Sequence, residues 1–104
     1  MVSATVTSVA SAPAAVPTAF SLEQNYPNPF NPTTRIEYTL PEASQVALNV
    51  FDVRGRVVQV LVNQRQSAGR YRVVFDSRGL PAGVYFYRLR AGDFVHTRKM
   101  ALVR

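Results

Sequence analysis

Residues able to move protons are few and widely spaced in this chain. His96 is the only histidine, and its neighbours Val95 and Thr97 offer neither a nucleophile nor an orienting acid. A general base needs such partners within hydrogen-bond reach, so His96 reads as a surface or edge side chain. The carboxylates Glu23, Glu37, Glu42, Asp52, Asp76 and Asp93 are scattered. Asp52 and Asp76 each end an apolar run where a turn begins, and capping that turn accounts for them. Glycoside chemistry needs two carboxyls facing each other across a cleft, which a chain this short offers little room to build. The reading is a protein without catalytic residues.

Cofactor and metal chemistry fare no better. There is no cysteine, so thiolate metal sites and disulfides are excluded. Oxygen ligands for Ca²⁺ could come from Asn25, Asn28, Asn31 and Asp76, but their spacing fits no known calcium loop. Backbone turns explain the same residues. No cofactor and no metal site is expected.

Twelve cations against six carboxylates give a formal net charge of +6, and eleven of the twelve are arginines. Such a balance permits anionic partners. The arginines are spread along the chain from Arg35 to Arg104, however, not clustered, which argues against a phosphate-tracking groove and a nucleic-acid partner. Residues 83–91 hold the one hint of a ring-and-cation surface. There Val84, Phe86, Arg88 and Arg90 alternate with Tyr85, Tyr87 and Leu89. The first set could stack on bases or sugars; arginine stems lying over a half-covered ring are the simpler account.

The elements that would position these residues are strands. TTRIEYTL alternates Ile36, Tyr38 and Leu40 with polar residues, SQVALNVFD alternates Val46, Leu48 and Val50, and GRYRVVFDS turns Tyr71, Val73 and Phe75 one way. Period-two patterning gives each run one buried and one wet face. RVVQVLVN is apolar on both faces, as a central or a bulged strand would be. Asp52-Val53-Arg54-Gly55 and Ala91-Gly92-Asp93 read as hairpin turns. No stretch carries the apolar spacing of a three-turn helix, and none approaches the ~18 apolar residues of a membrane-spanning one, so no direct membrane insertion is expected. The expected fold is a seven-stranded immunoglobulin-like antiparallel β-sandwich.

Composition divides the chain in two. Residues 1–19 are Ala, Ser, Thr, Val and Pro without charge, a flexible linker with no signal-peptide cations. Met1 ahead of such a stretch suggests the C-terminal piece of a longer polypeptide. The folded part is expected over 20–104. It opens on FSLEQNYPNPFNP, where prolines restrict the unfolded chain and asparagines bond back to the backbone. Tyr26 and Phe30 are expected to plug rings into the side of the sandwich. The last strand, Phe94 to Val103, reaches the chain end with a cationic collar at Arg98, Lys99 and Arg104. Its edge is either open for strand addition by a partner, or for self-association, or simply packed with charges as edge protection.

NYPNPFNPTTRIEYTLPEASQVALNVFDVRGRVVQVL followed by AGRYRVVFDSRGLPAGVYFYRLRAGDFVHTRKMALVR resembles a type IX secretion system C-terminal sorting domain, a relative of the immunoglobulin-like domain of flagellar hook-cap proteins. The likeness covers 20–104. Its markers are YPNPFNP at 26–32 with Thr33 and Ile36, the turn from Asp52 to Gly55-Arg56, Leu80, Gly83 and Tyr85 with Arg88, and Lys99-Met100. Phe75 stands where many relatives carry Trp, and Met100 where many carry Leu or Ile.

The resemblance implies an address label carrying an N-terminal passenger from the periplasm to the outer-membrane secretion machinery. There a sortase-like protease cuts the linker, and in many members the passenger is joined to anionic lipopolysaccharide at the cell surface. Mapped onto this chain, recognition falls on Gly83, Tyr85, Lys99, Met100, Leu102, Val103 and Arg104, with cleavage within 1–19. The competing reading is a carbohydrate- or cell-surface-binding module of a larger secreted enzyme, prompted by Phe86, Tyr85 and Tyr87 beside Arg88 and Arg90.

Overall fold

A computed structural model describes residues 16–104, and the first fifteen positions of the expected linker lie outside the described residues. The described chain forms strands β1 (Ser21–Leu22), β2 (Thr33–Leu40), β3 (Ser44–Phe51), β4 (Val57–Gln66), β5 (Gly69–Asp76), β6 (Gly83–Ala91) and β7 (Phe94–Leu102). Six are the runs read from the sequence as strands. The seventh, β1, is only two residues long, too short for any periodicity to show.

Two antiparallel sheets face each other, one ordered β1-β2-β5 and the other β4-β3-β6-β7. Ile36, Tyr38 and Leu40 of β2 meet Val46, Leu48 and Val50 of β3 and Tyr87 and Leu89 of β6 in one apolar core. The polar residues between them point outward, as the pleat requires. Tyr38 stacks on Tyr71 of β5 at 5.3 Å, and its hydroxyl donates to Gln66 Oε1 at 2.5 Å. Burial pushes the Tyr38 phenol up to about 12.

Near the start of β6, the Tyr85 hydroxyl donates to the carbonyl of Pro81, four residues upstream, at 2.6 Å. This is the tyrosine corner of immunoglobulin-like sandwiches.

β4 proves to be an outer strand with two bulges, its register against β3 shifting after Leu48 and again after Val50. Each bulge moves the alternation by one residue, which is why RVVQVLVN looks apolar on both faces. Only Val62 is buried, while Val57 and Val60 are more than half exposed.

The turns behave as their residues dictate. Asp52 Oδ1 accepts from Arg54 N at 2.9 Å and Arg56 N at 3.1 Å, and Gly55 takes φ +82°. The first cause of Asp52's depressed carboxyl pKa is the Arg56 backbone N–H, with the Arg56 side chain adding to it. In the closing hairpin Ala91 pairs with Phe94, leaving Gly92-Asp93 as the loop. Positive φ occurs there at Gly92 only, as a type II′ turn demands.

Candidate recognition surface

The β6–β7 hairpin places the seven expected recognition residues in two groups. Tyr85, Met100 and Leu102 point into the core and are at most 4% exposed. Gly83, Lys99, Val103 and Arg104 lie on the surface. The pleat turns Met100 and Leu102 to the core face that they share with their partners Tyr85 and Gly83. It turns Lys99, between Arg98 and Met100, to the outer face with Phe86. Gly83 has no side chain to bury and lies at the strand's open start. Leu102 and Met100 therefore hold the end of β7 in place, and the exposed four are what another molecule can touch. The Arg104 guanidinium donates to the carbonyl of Leu80, fastening the last residue to the loop before β6.

The edge of β7 is not the open ladder that a terminal strand suggests. Residues 20–30 run beside it along its length. Phe20 stacks on Phe94 at 5.2 Å, and Arg98 Nε donates to Leu22 O at 2.6 Å. Gln24 Nε2 donates to Lys99 O at 2.8 Å, and Asn28 Oδ1 accepts from Ala101 N at 3.0 Å. Phe30 N donates to Ala101 O at 2.9 Å, and Val103 N donates to Phe30 O at 3.0 Å, a parallel bridge. The outward groups Lys99 O, Ala101 N, Ala101 O and Val103 N are thus already bonded. A strand added there, from a partner or a second copy, would have to displace this strap.

The strap holds its shape through buried polar contacts. Asn25, 2% exposed, donates through Nδ2 to Pro27 O at 3.1 Å and Thr34 Oγ1 at 3.0 Å. Thr34 Oγ1 in turn donates to Pro27 O at 2.8 Å. The Tyr87 hydroxyl, reaching up from the core, accepts from Asn25 N at 2.8 Å and donates to Glu23 O at 2.7 Å. Burial pushes the Tyr87 phenol up to about 12. Phe30 fills the space between the sheets and meets Phe75 edge-on at 5.9 Å.

Tyr26 does not follow Phe30 inward; it is 68% exposed. Its backbone pairs with that of Arg35, an outward position of β2, so its ring must also face out. It rests there under the Arg35 guanidinium, 5.5 Å away.

Other expected chemistry is taken up by structure. The Asn25 and Asn28 oxygens serve the strap. The Asp76 carboxyl is held below its usual range, first by the side chain of Arg78 and then by that residue's backbone N–H. The described residues contain no group of three acidic, histidine or cysteine side chains able to hold a metal. Tyr85 and Tyr87 face the core, so a sugar would find neither ring; only Phe86 of the three turns outward, and it is half-buried. Sequence reasoning missed the strap's role, although the Asn-Pro alternation that builds it was visible.

No curated protein matches the chain. Residues 24–103 match the family described as "Secretion system C-terminal sorting domain". The match begins at Gln24, the first strap residue to bond the 99–103 edge, and closes at Val103, the last residue that the strap bonds. The chain belongs to this family, and its β-sandwich is a C-terminal sorting signal of type IX secretion.

Proposed function

We propose that the sandwich directs a passenger attached ahead of residue 20 across the outer membrane, and that the machinery grips the finished end of β7. The observation that carries this is the strap. With its edge bonded, β7 offers a partner a rigid side-chain surface at Lys99, Val103, Arg104 and the neighbouring Gly83. Tyr85, Met100 and Leu102 act from beneath by fixing that surface. A rigid surface loses little conformational entropy when gripped. The uncharged residues 1–19 serve as the segment cut by the sortase-like protease, releasing the passenger for the cell surface or the medium. On this reading the sandwich performs no chemistry of its own; Asp52, Glu37 and Asp76 are each engaged by a neighbouring arginine.

The test is export of a reporter passenger fused to this chain in a bacterium with type IX machinery. Deleting Lys99 to Arg104 should hold the reporter in the periplasm. Because the deletion also removes core residues, Lys99→Ala with Arg104→Ala provides the folded counterpart and should retain reporter as well. Normal export of both variants would overturn the assignment.

A further inference from the structure

Charge is distributed unevenly between the two sheets. None of β3, β4, β6 and β7 contains an Asp or Glu. Their outward face nevertheless carries Arg65, Arg88, Arg90 and Lys99, placed there by pairing with the outward residues Gln45, Asn49, Ala47 and Phe86. Among the described residues, the three ion pairs lie elsewhere, at Arg56–Asp52, Arg72–Glu37 and Arg78–Asp76. The opposite sheet offsets Arg72 with Glu37 on its outer face and keeps Arg35 and Arg70 there unpaired; this one has four cations on its outer face and no carboxylate in its strands.

The same face is partly apolar. Val60 lies opposite Asn49 and Val95 opposite Arg90, and both are more than half exposed. Between these flanks a depression of about 370 Å³ is lined by Gln45, Ala47, Asn49, Arg88, Arg90 and Gly92. Asn49 Oδ1 is enclosed there without a hydrogen-bond partner, a costly state for a buried acceptor. Arg88 is held in place by stacking on the Phe51 ring, 4.5 Å from its centroid.

We infer that the outer face of the four-stranded sheet is a docking surface for an acidic protein partner, centred on Arg88 and Arg90. Their forks suit a carboxylate side chain, and the flanking valines suit its apolar neighbours. Nucleic acid and sugar fit less well. Exposed Val60 and Val95 flank the cations, apolar surface that a phosphate backbone or a sugar would leave unmatched. Of the two outward rings, Phe51 is already covered by Arg88 and Phe86 is half-buried. Strands about 4.8 Å apart and eight residues long give this face roughly 500 Å². That falls short of the ~800 Å² per partner of a stable complex, so the contact is transient. Lys99, at its margin, is shared with the surface proposed at the end of β7, so the test rests on Arg88 and Arg90, which that reading does not use.

The test is a titration of the 104-residue chain, followed by backbone amide NMR, with a peptide alternating Glu and Leu. Shifts should concentrate at Asn49, Arg88, Arg90 and Thr97. Arg88→Gln with Arg90→Gln should weaken binding about tenfold or more, while Arg35→Gln with Arg70→Gln on the other sheet should leave it unchanged. Equal weakening by the two double variants, or shifts centred elsewhere, would overturn the inference. Parallel titrations with polyphosphate and with polyuronate complete it: tighter binding of either at this same face would replace the protein partner with a polyanion.

Discussion

The Tyr87 hydroxyl stands between the backbone N–H of Asn25, 2.8 Å away, and the carbonyl of Glu23 at 2.7 Å. One core side chain thereby ties the strap to the sheet on which the C-terminal strand lies. Tyr87→Phe leaves a buried donor and an acceptor unpaired, which costs about 1–3 kcal/mol. Urea unfolding should show a lower midpoint with an unchanged m-value. An unaltered midpoint would mean that the strap is held by its other contacts.

Stability should fall in alkali. Tyr38 and Tyr87 have folded-state pKa values near 12 against an ordinary value of 10.0. A phenol whose pKa is raised on folding stabilises the fold fully below its unfolded value. That contribution shrinks as pH rises from about 10 through 12, because the unfolded chain has already lost its proton. Each contributes roughly 2–3 kcal/mol over that window. Thermal melts at pH 8, 10 and 11.5 check it, and Tyr87→Phe should flatten part of the decline.

At the acid end the sign reverses. Asp52 and Asp76 have depressed pKa values, so what they add is present above the ordinary carboxylate range. It is lost as pH falls through their lowered values. Both are surface groups, so the effect is small, and Asp52→Asn should reduce the acid slope of Tm.

Bonding of the β7 edge is visible to hydrogen exchange. The amides of Ala101 and Val103, bonded to Asn28 Oδ1 and Phe30 O, should exchange slowly despite lying on a sheet edge. Asn28→Ala removes one acceptor, about 0.5–1.5 kcal/mol. Ala101 should then exchange several-fold faster, with Val103 little changed.

The hairpin and its contents separate by substitution. Leu102→Ala empties a core position and should cost about 2–5 kcal/mol. Gly92→Ala forces a side chain onto φ +59° and should cost about 1–2 kcal/mol. Lys99→Gln, on an exposed position, should stay within roughly 0.5 kcal/mol of the parent. Calorimetric melts of the three should fall in that order.

What the sequence determined by itself was local. Ile36, Tyr38 and Leu40, or Tyr85, Tyr87 and Leu89, had to share a face because a strand turns alternate side chains the same way. Gly55 and Gly92 had to mark turns because they alone pass into positive φ there without strain. The tertiary structure decided which edges stay open and which residues near the chain end remain in reach. Gln24 meets Lys99 across 75 positions and Asn25 meets Tyr87 across 62, and no local pattern records such pairings. Likewise, β4 reads as apolar on both faces until two bulges show where its alternation slips. A register is a relation between two strands, so neither strand's sequence contains it alone.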